Sequence, residues 1–299
     1  MSRPPTSFDH RMSVHSTDEQ FLTAALPFLG AALDAAGEPP PAAIASPHHL
    51  GLLRDSLGPD AERVVLIDHT DWYTGSAANA VAQGAGYLAS HAGPGGRIHL
   101  LMEPVWNGRA GRSPREATEW IRYEALANLL FAPLATTALC VYDTRTAGAA
   151  IVEAARRAHP GTGVYEDPVR LTAELDAVPL APPPPDAEPL ADLDADAVQL
   201  KGRDRGLAPA DAELFAKAVD EAARALGQRS GTALLWGRGA HCVCELRAEL
   251  RIDDPLAGFV PPDATGLEPG QGLWYARQVC AYVDVRDDRD GTTVRLQYA

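Results

Sequence analysis

The chain has 299 residues, 46% of them hydrophobic and 22% charged, with 40 acidic side chains against 26 basic ones and a formal net charge of −14. This is the composition of a globular protein long enough for two domains. The acidic excess argues against a nucleic-acid partner, which needs a basic surface, and no apolar run reaches the roughly 18 residues of a membrane span.

Met1-Ser-Arg-Pro-Pro-Thr6 lacks the apolar stretch of a secretory signal, so a cytoplasmic location is expected. Four short apolar runs follow, each ending on a polar residue: Ala42–Ser46, Arg63–Asp68, Arg97–Glu103 and Thr137–Asp143. Helical stretches alternate with them over Glu19–Asp34, Leu50–Ser56, Ser76–Ala89 and Pro114–Phe131. Such alternation predicts a parallel sheet covered by helices on both faces. The acidic, proline-rich stretch 179–191 reads as an extended linker, which separates a first domain, 1–178, from a second, 192–299.

In the second half, Asp211–Leu226 is an amphipathic helix with Leu214, Phe215, Ala218, Val219, Ala222 and Leu226 on one broad face. Strands follow at Gly231–Trp236 and Cys242–Arg247, then a glycine loop, Gly270-Gln-Gly-Leu-Trp274, and a helix over Leu273–Ala281. Val283–Arg286 and Thr292–Gln297 alternate about an Asp290-Gly291 turn, which predicts a hairpin. The order predicts an α/β sandwich on a mostly antiparallel sheet. Four cysteines this widely spread predict reduced thiols. Cys242 and Cys244 share one strand face; with His241 and Cys280 they suggest a metal site, but core packing is the favoured reading.

In a parallel α/β sheet, ligands gather beyond the carboxyl ends of the strands. The side chains expected there are Ser46, His48 and His49; Asp68, His69, Asp71, Trp72 and Tyr73; Glu103 and Trp106; and Tyr142 and Asp143. Glu116, Trp120, Glu124 and Asn128 form a helical stripe that faces either this pocket or solvent. Three readings of the edge stay open. It is a ligand-sensing pocket, or a catalytic or metal site built on His48, His49, His69 and Glu103, or a set of capping and structural groups. A divalent metal is compatible with these residues, but none is assigned as a ligand. Ser46-Pro-His-His-Leu-Gly51 stands where a phosphate-binding loop belongs and has no lysine, which argues against nucleotide binding there.

Glu103-Pro-Val-Trp106, Glu116, Arg122–Asn128, Cys140–Asp143, His159-Pro160 and Tyr165–Pro168 together resemble the MEDS domain, a sensory module first described in regulators of methanogens and methylotrophs. His10 matches the family's opening histidine, while Val14-His15 replaces the aromatic pair after it. The resemblance implies a RecA/KaiC-like α/β/α fold and a sensory role.

Over Asp192–Ala299, the Cys244–Arg247 strand, Asp253–Gly258, Gly270–Trp274 and Gly291–Arg295 resemble the histidine-kinase-like ATPases of actinobacterial regulators, relatives of the anti-sigma-factor serine kinases. That resemblance implies a C-terminal α/β sandwich of this ATPase type. It also implies an activating glutamate at Glu221, a magnesium-holding asparagine where this chain has Ala225, and an adenine-reading aspartate where it has Ala248. Leu250 replaces a glycine of the same motif. With both polar anchors replaced, kinase activity and ATP–magnesium binding are not expected. Gly270 and Gly272 read as vestiges, and Glu221 reads as a solvated helix carboxylate.

The reading reached is a cytoplasmic signalling protein. A small molecule or a partner acts on the first domain, and a catalytically impaired second domain relays the state. Sigma factors or anti-sigma antagonists are the partners that the resemblance implies. The alternative is a repurposed enzyme of specialised metabolism, with acid–base or metal-assisted chemistry at the edge of the first sheet.

Overall fold

A computed structural model describes residues 7–73, 76–91, 96–104, 113–190, 193–227, 233–260 and 272–298. The chain divides into two compact units, 1–175 and 176–299.

The first unit runs β1 (Phe8–His15), α1 (Asp18–Leu33), β2 (Ala42–Ala45), α2 (Pro47–Leu57), β3 (Val65–Asp68), α3 (His69–Trp72), α4 (Ala77–His91), β4 (Ile98–Met102), α5 (Pro114–Leu130), β5 (Thr136–Asp143), α6 (Thr144–Ala147) and α7 (Ala149–Ala158), with α8 (Pro168–Asp176) at its end. Its five strands are parallel, in the order β1-β5-β4-β2-β3. The sequence predicts four of them and misses β1. As an edge strand β1 pairs only with β5, and Asp9, Arg11 and Ser13 alternate with its buried positions. It therefore shows no apolar run.

The register sets the two faces of this sheet. His10 lies beside Ala138 and Met12 beside Cys140, so His10, Cys140 and Tyr142 share one face; His15 lies beside Asp143 on the other. On the His15 face, Phe21, Phe28 and Leu29 of α1 and Leu50 and Leu53 of α2 close over Leu101, Leu139 and Val141. On the His10 face, α3, α4 and α5 cover β1, β4 and β5 around an apolar cavity. Helix starts are placed by side chains at the strand ends. Ser46 caps α2, Asp68 caps α3 and Asp143 caps α6, each accepting from a backbone N–H of the first turn.

The second unit adds β6 (Glu188–Leu190), α9 (Ala195–Asp204), α10 (Pro209–Ala225), β7 (Ala233–Trp236), β8 (Val243–Ala248), α11 (Leu273–Val279), β9 (Tyr282–Asp288) and β10 (Gly291–Gln297). Its sheet is antiparallel, in the order β6-β7-β8-β10-β9, with Phe215, Val219 and Ala222 of α10 in the core beside Leu235, Cys244 and Leu246. The stretch 179–191, expected as a linker, supplies the edge strand β6, where Pro189 is tolerated. Its Ala181 carbonyl accepts from Arg295 at 2.7 Å. Cys242, Cys244 and Cys280 are free thiols buried in this core, and His241 is exposed, as core packing predicts. No helix among the described residues is long and apolar enough to cross a membrane.

Candidate functional site

The side chains expected at one sheet edge separate into two groups, one on each face. On the α1/α2 face, Glu103 leaves the end of β4, and its Oε2 accepts from the Ser46 backbone N–H at 2.8 Å. Its Oε1 lies 2.9 Å from His49 Nδ1. The carboxylate fixes Nδ1–H as the donor and leaves Nε2 as a lone pair. That Nε2 is 3.7 Å from Asp18, and the ring stacks on Phe21. Burial pulls the His49 pKa down, but the Glu103 hydrogen bond and the charges of Glu103, Asp18 and Asp143 outweigh it, and the net shift is upward. Glu103 is held below the usual carboxylate range: burial raises it, and His49 and the Ser46 backbone outweigh that.

His15, buried at the end of β1, has no hydrogen-bond partner among the described residues and lies within ligand range of His49 and Asp143. Burial lowers its pKa against the opposing pull of Asp143. Asp143 is engaged by the Arg145 side chain and backbone. His48 is exposed and pairs with Asp18 at 2.7 Å. Asp18 is pulled down to about 2 by hydrogen bonds from His48 and Arg145. A hydrogen-bonded carboxylate–imidazole pair with a free Nε2 is equipped for proton transfer.

The second group lies on the other face. Glu124 and Asn128, one helical turn apart on α5, meet His10 of β1, and Trp120 is buried one turn before them, so this part of the stripe faces inward, while Glu116 at its start is half-exposed. Asn128 Nδ2 donates to the Ala158 carbonyl at 2.7 Å, and its Oδ1 is 3.1 Å from His10 Nδ1. Glu124 Oε2 is 3.6 Å from His10 Nε2 and 3.8 Å from His159 Nε2. Cys140 Sγ is 3.4 Å from His10 Nε2. Burial pushes the Glu124 carboxyl up to about 7, against a hydrogen bond from Tyr142, and takes His159 down to about 4. His10 is lowered by burial and by His159, and the Cys140 thiol is raised by burial and by Glu124.

His10, Glu124 and Cys140 of this group form the polar end of a cavity of about 20 Å³, room for about one water. The remaining wall is apolar and aromatic: Phe8, Trp72, Tyr73, Tyr123 and Phe131, with Gly84, Leu88, Leu100, Met102, Ala127 and Ala138. His10 and Cys140 were not expected as site residues. Their common face on adjacent strands becomes visible only once β1 is recognised.

A family described as "MEDS: MEthanogen/methylotroph, DcmR Sensory domain" matches residues 9–160. The chain belongs to the MEDS family. No curated protein and no solved structure matches it.

Both groups lie within the MEDS match. Of the other expected residues, Asp68 and His69 stand at the end of β3, at the far edge of the MEDS sheet from β1, and Asp68 is engaged as the cap that binds Thr70. Trp72 is buried in the cavity wall. Trp106 and Gly270 lie outside the described residues. Outside the MEDS match, Glu221 is 4% exposed and accepts from the Gly272 N–H at 2.9 Å. Its reading as a solvated carboxylate is therefore corrected. Its carboxylate is held by the half-buried amide at the start of α11 and is not free in solvent. Ala225 lies beside the same glycine, 3.4 Å from where a Cβ there would stand. Ala248 is buried on β8 opposite Thr292.

Proposed function

We propose that this is a signalling protein whose MEDS domain binds a small, mostly apolar molecule in the cavity under β1, β4 and β5, which widens from about 20 Å³ to admit it. The observation that carries the reading is the composition of that cavity. Aromatic and aliphatic walls end in His10, Glu124 and Cys140, which suits a compact guest with one hydrogen-bonding group. The fold is read as RecA-like. Binding is relayed by the second unit, read as a histidine-kinase-like ATPase fold without its magnesium and adenine anchors. Glu221 supports the absence of ATP chemistry, because its carboxylate is already committed to the Gly272 backbone. Sigma factors or anti-sigma antagonists are the partners proposed for the relay, and a cytoplasmic setting is proposed with them.

The test is NMR of dissolved xenon with the wild-type chain and with Gly84→Leu. A Cβ at Gly84 already stands 3.3 Å from the Phe131 ring, so a leucine there fills the cavity. Wild type is expected to shift the xenon resonance and the variant not to. Equal shifts would remove the cavity as the binding site.

A second reading, a repurposed enzyme, is favoured by one contact, the buried Glu103–His49 pair at the carboxyl end of the first sheet. It requires a turnover that His49→Ala abolishes while xenon binding survives.

A further inference from the structure

The group around Glu124 has the geometry of a metal site. Two tautomers are fixed by their neighbours. The Ala155 carbonyl lies 2.7 Å from His159 Nδ1, which must donate to it and so leaves Nε2 as a bare lone pair. Asn128 spends its NH2 on the Ala158 and Glu124 carbonyls, so its oxygen faces His10 Nδ1 and takes that proton. His10 Nε2 is then a second lone pair, met among the described residues only by the Cys140 thiol. Both point at one carboxylate oxygen, at 3.6 and 3.8 Å, with a thiol sulfur 3.4 Å from His10 Nε2. The four ligand atoms all lie within 4.8 Å of one another. Donors about 2.0–2.3 Å from a shared tetrahedral centre stand roughly 3.3–3.8 Å apart.

His159 Nε2 has no hydrogen-bond partner among the described residues and is fully buried, a costly state for a polar atom. A cation satisfies it and its three neighbours at once. We propose that His10, Glu124, Cys140 and His159 bind one Zn2+ at the polar end of the cavity. Two imidazoles, a thiolate and a carboxylate suit zinc and not the hard cations, which take oxygen ligands. The charge also balances. Zn2+ enters, one proton leaves the thiol and one leaves any carboxyl that carries it, and the bound group is neutral. A neutral group is what a buried site with His10 4%, Glu124 4%, Cys140 3% and His159 0% exposed can hold. The site shares His10, Glu124 and Cys140 with the polar end of the cavity, so a guest's hydrogen-bonding group would meet the remaining lone pairs of zinc-bound side chains; zinc binding itself does not require the guest.

The test uses the full chain, stripped with a chelator and loaded with Co2+ as a spectroscopic stand-in. Expected are one Co2+ per chain, strong visible bands of a tetrahedral ion and a near-ultraviolet thiolate charge-transfer band. That band should vanish in Cys140→Ser. Glu124→Gln, nearly the same shape, should weaken zinc binding by about tenfold or more while circular dichroism stays unchanged. No stoichiometric uptake by the wild type, or the weak spectrum of an octahedral ion, would overturn the site, whatever the variants do. So would a charge-transfer band that survives in Cys140→Ser, since it would come from another thiol.

Discussion

His49 is the residue whose behaviour the surroundings determine most clearly. Its burial opposes charge, and Glu103 restores it. A histidine whose pKa is raised on folding adds stability that is complete below its unfolded value, about 6.5. That contribution is lost as pH rises through the folded value. Ring-proton NMR should therefore place the His49 pKa above the free value in wild type and lower in Glu103→Gln, where only Asp18 and Asp143 still oppose burial. Unmoved titration in that variant would mean that Glu103 does not hold the ring. At Glu221 the expected effect is on stability. Glu221→Ala strips the half-buried Gly272 amide of its partner and should cost about 1 kcal/mol in chemical denaturation. Most of these side chains could be named from the sequence, because polar residues at the ends of apolar runs are conspicuous. Their division was not legible. Whether Glu103 and Glu124 meet one pocket or two depends on the faces of strands whose register no single segment encodes. The roles of Asp68 and Asp143 as helix caps were hidden for the same reason.

Among the elements, the apolar strands and long helices were readable because their periodicities are strong, and their bounds moved by only a few residues. β1 was not. Its alternation is carried by Phe8 and His10, and a buried histidine looks polar in a sequence. β6 was hidden by Pro189, which an edge strand tolerates, and by the prolines that precede it. The antiparallel sheet of the second unit turns on Gly291, which starts β10 at φ +132, and a Cβ there would stand 1.9 Å from the Ala248 carbonyl oxygen. Gly291→Ala should cost at least about 1–3 kcal/mol and lower the melting temperature of the isolated second unit. An unchanged melting temperature would mean that the β8–β10 pairing is looser than the register implies. At α1, Thr17 accepts from the Gln20 N–H, and Thr17→Ala should cost about 1 kcal/mol by denaturation.

On the scale of the whole molecule, each unit has its own sheet and its own buried core. The MEDS match lies in the first, and the committed Glu221 lies in the second. The proposed small-molecule recognition accordingly belongs to the first unit. The direct measurement is thermal unfolding of the full chain with short-chain alcohols and ketones and, separately, with ATP and magnesium. Wild type, Gly84→Leu and Glu221→Ala would be compared, since a guest that binds only the folded state must raise its melting temperature. The expected result is that an alcohol or ketone stabilises wild type and Glu221→Ala but not Gly84→Leu, while ATP with magnesium stabilises none of them. Stabilisation of wild type by ATP and magnesium that disappears in Glu221→Ala, with no response to the alcohols or ketones, would contradict it.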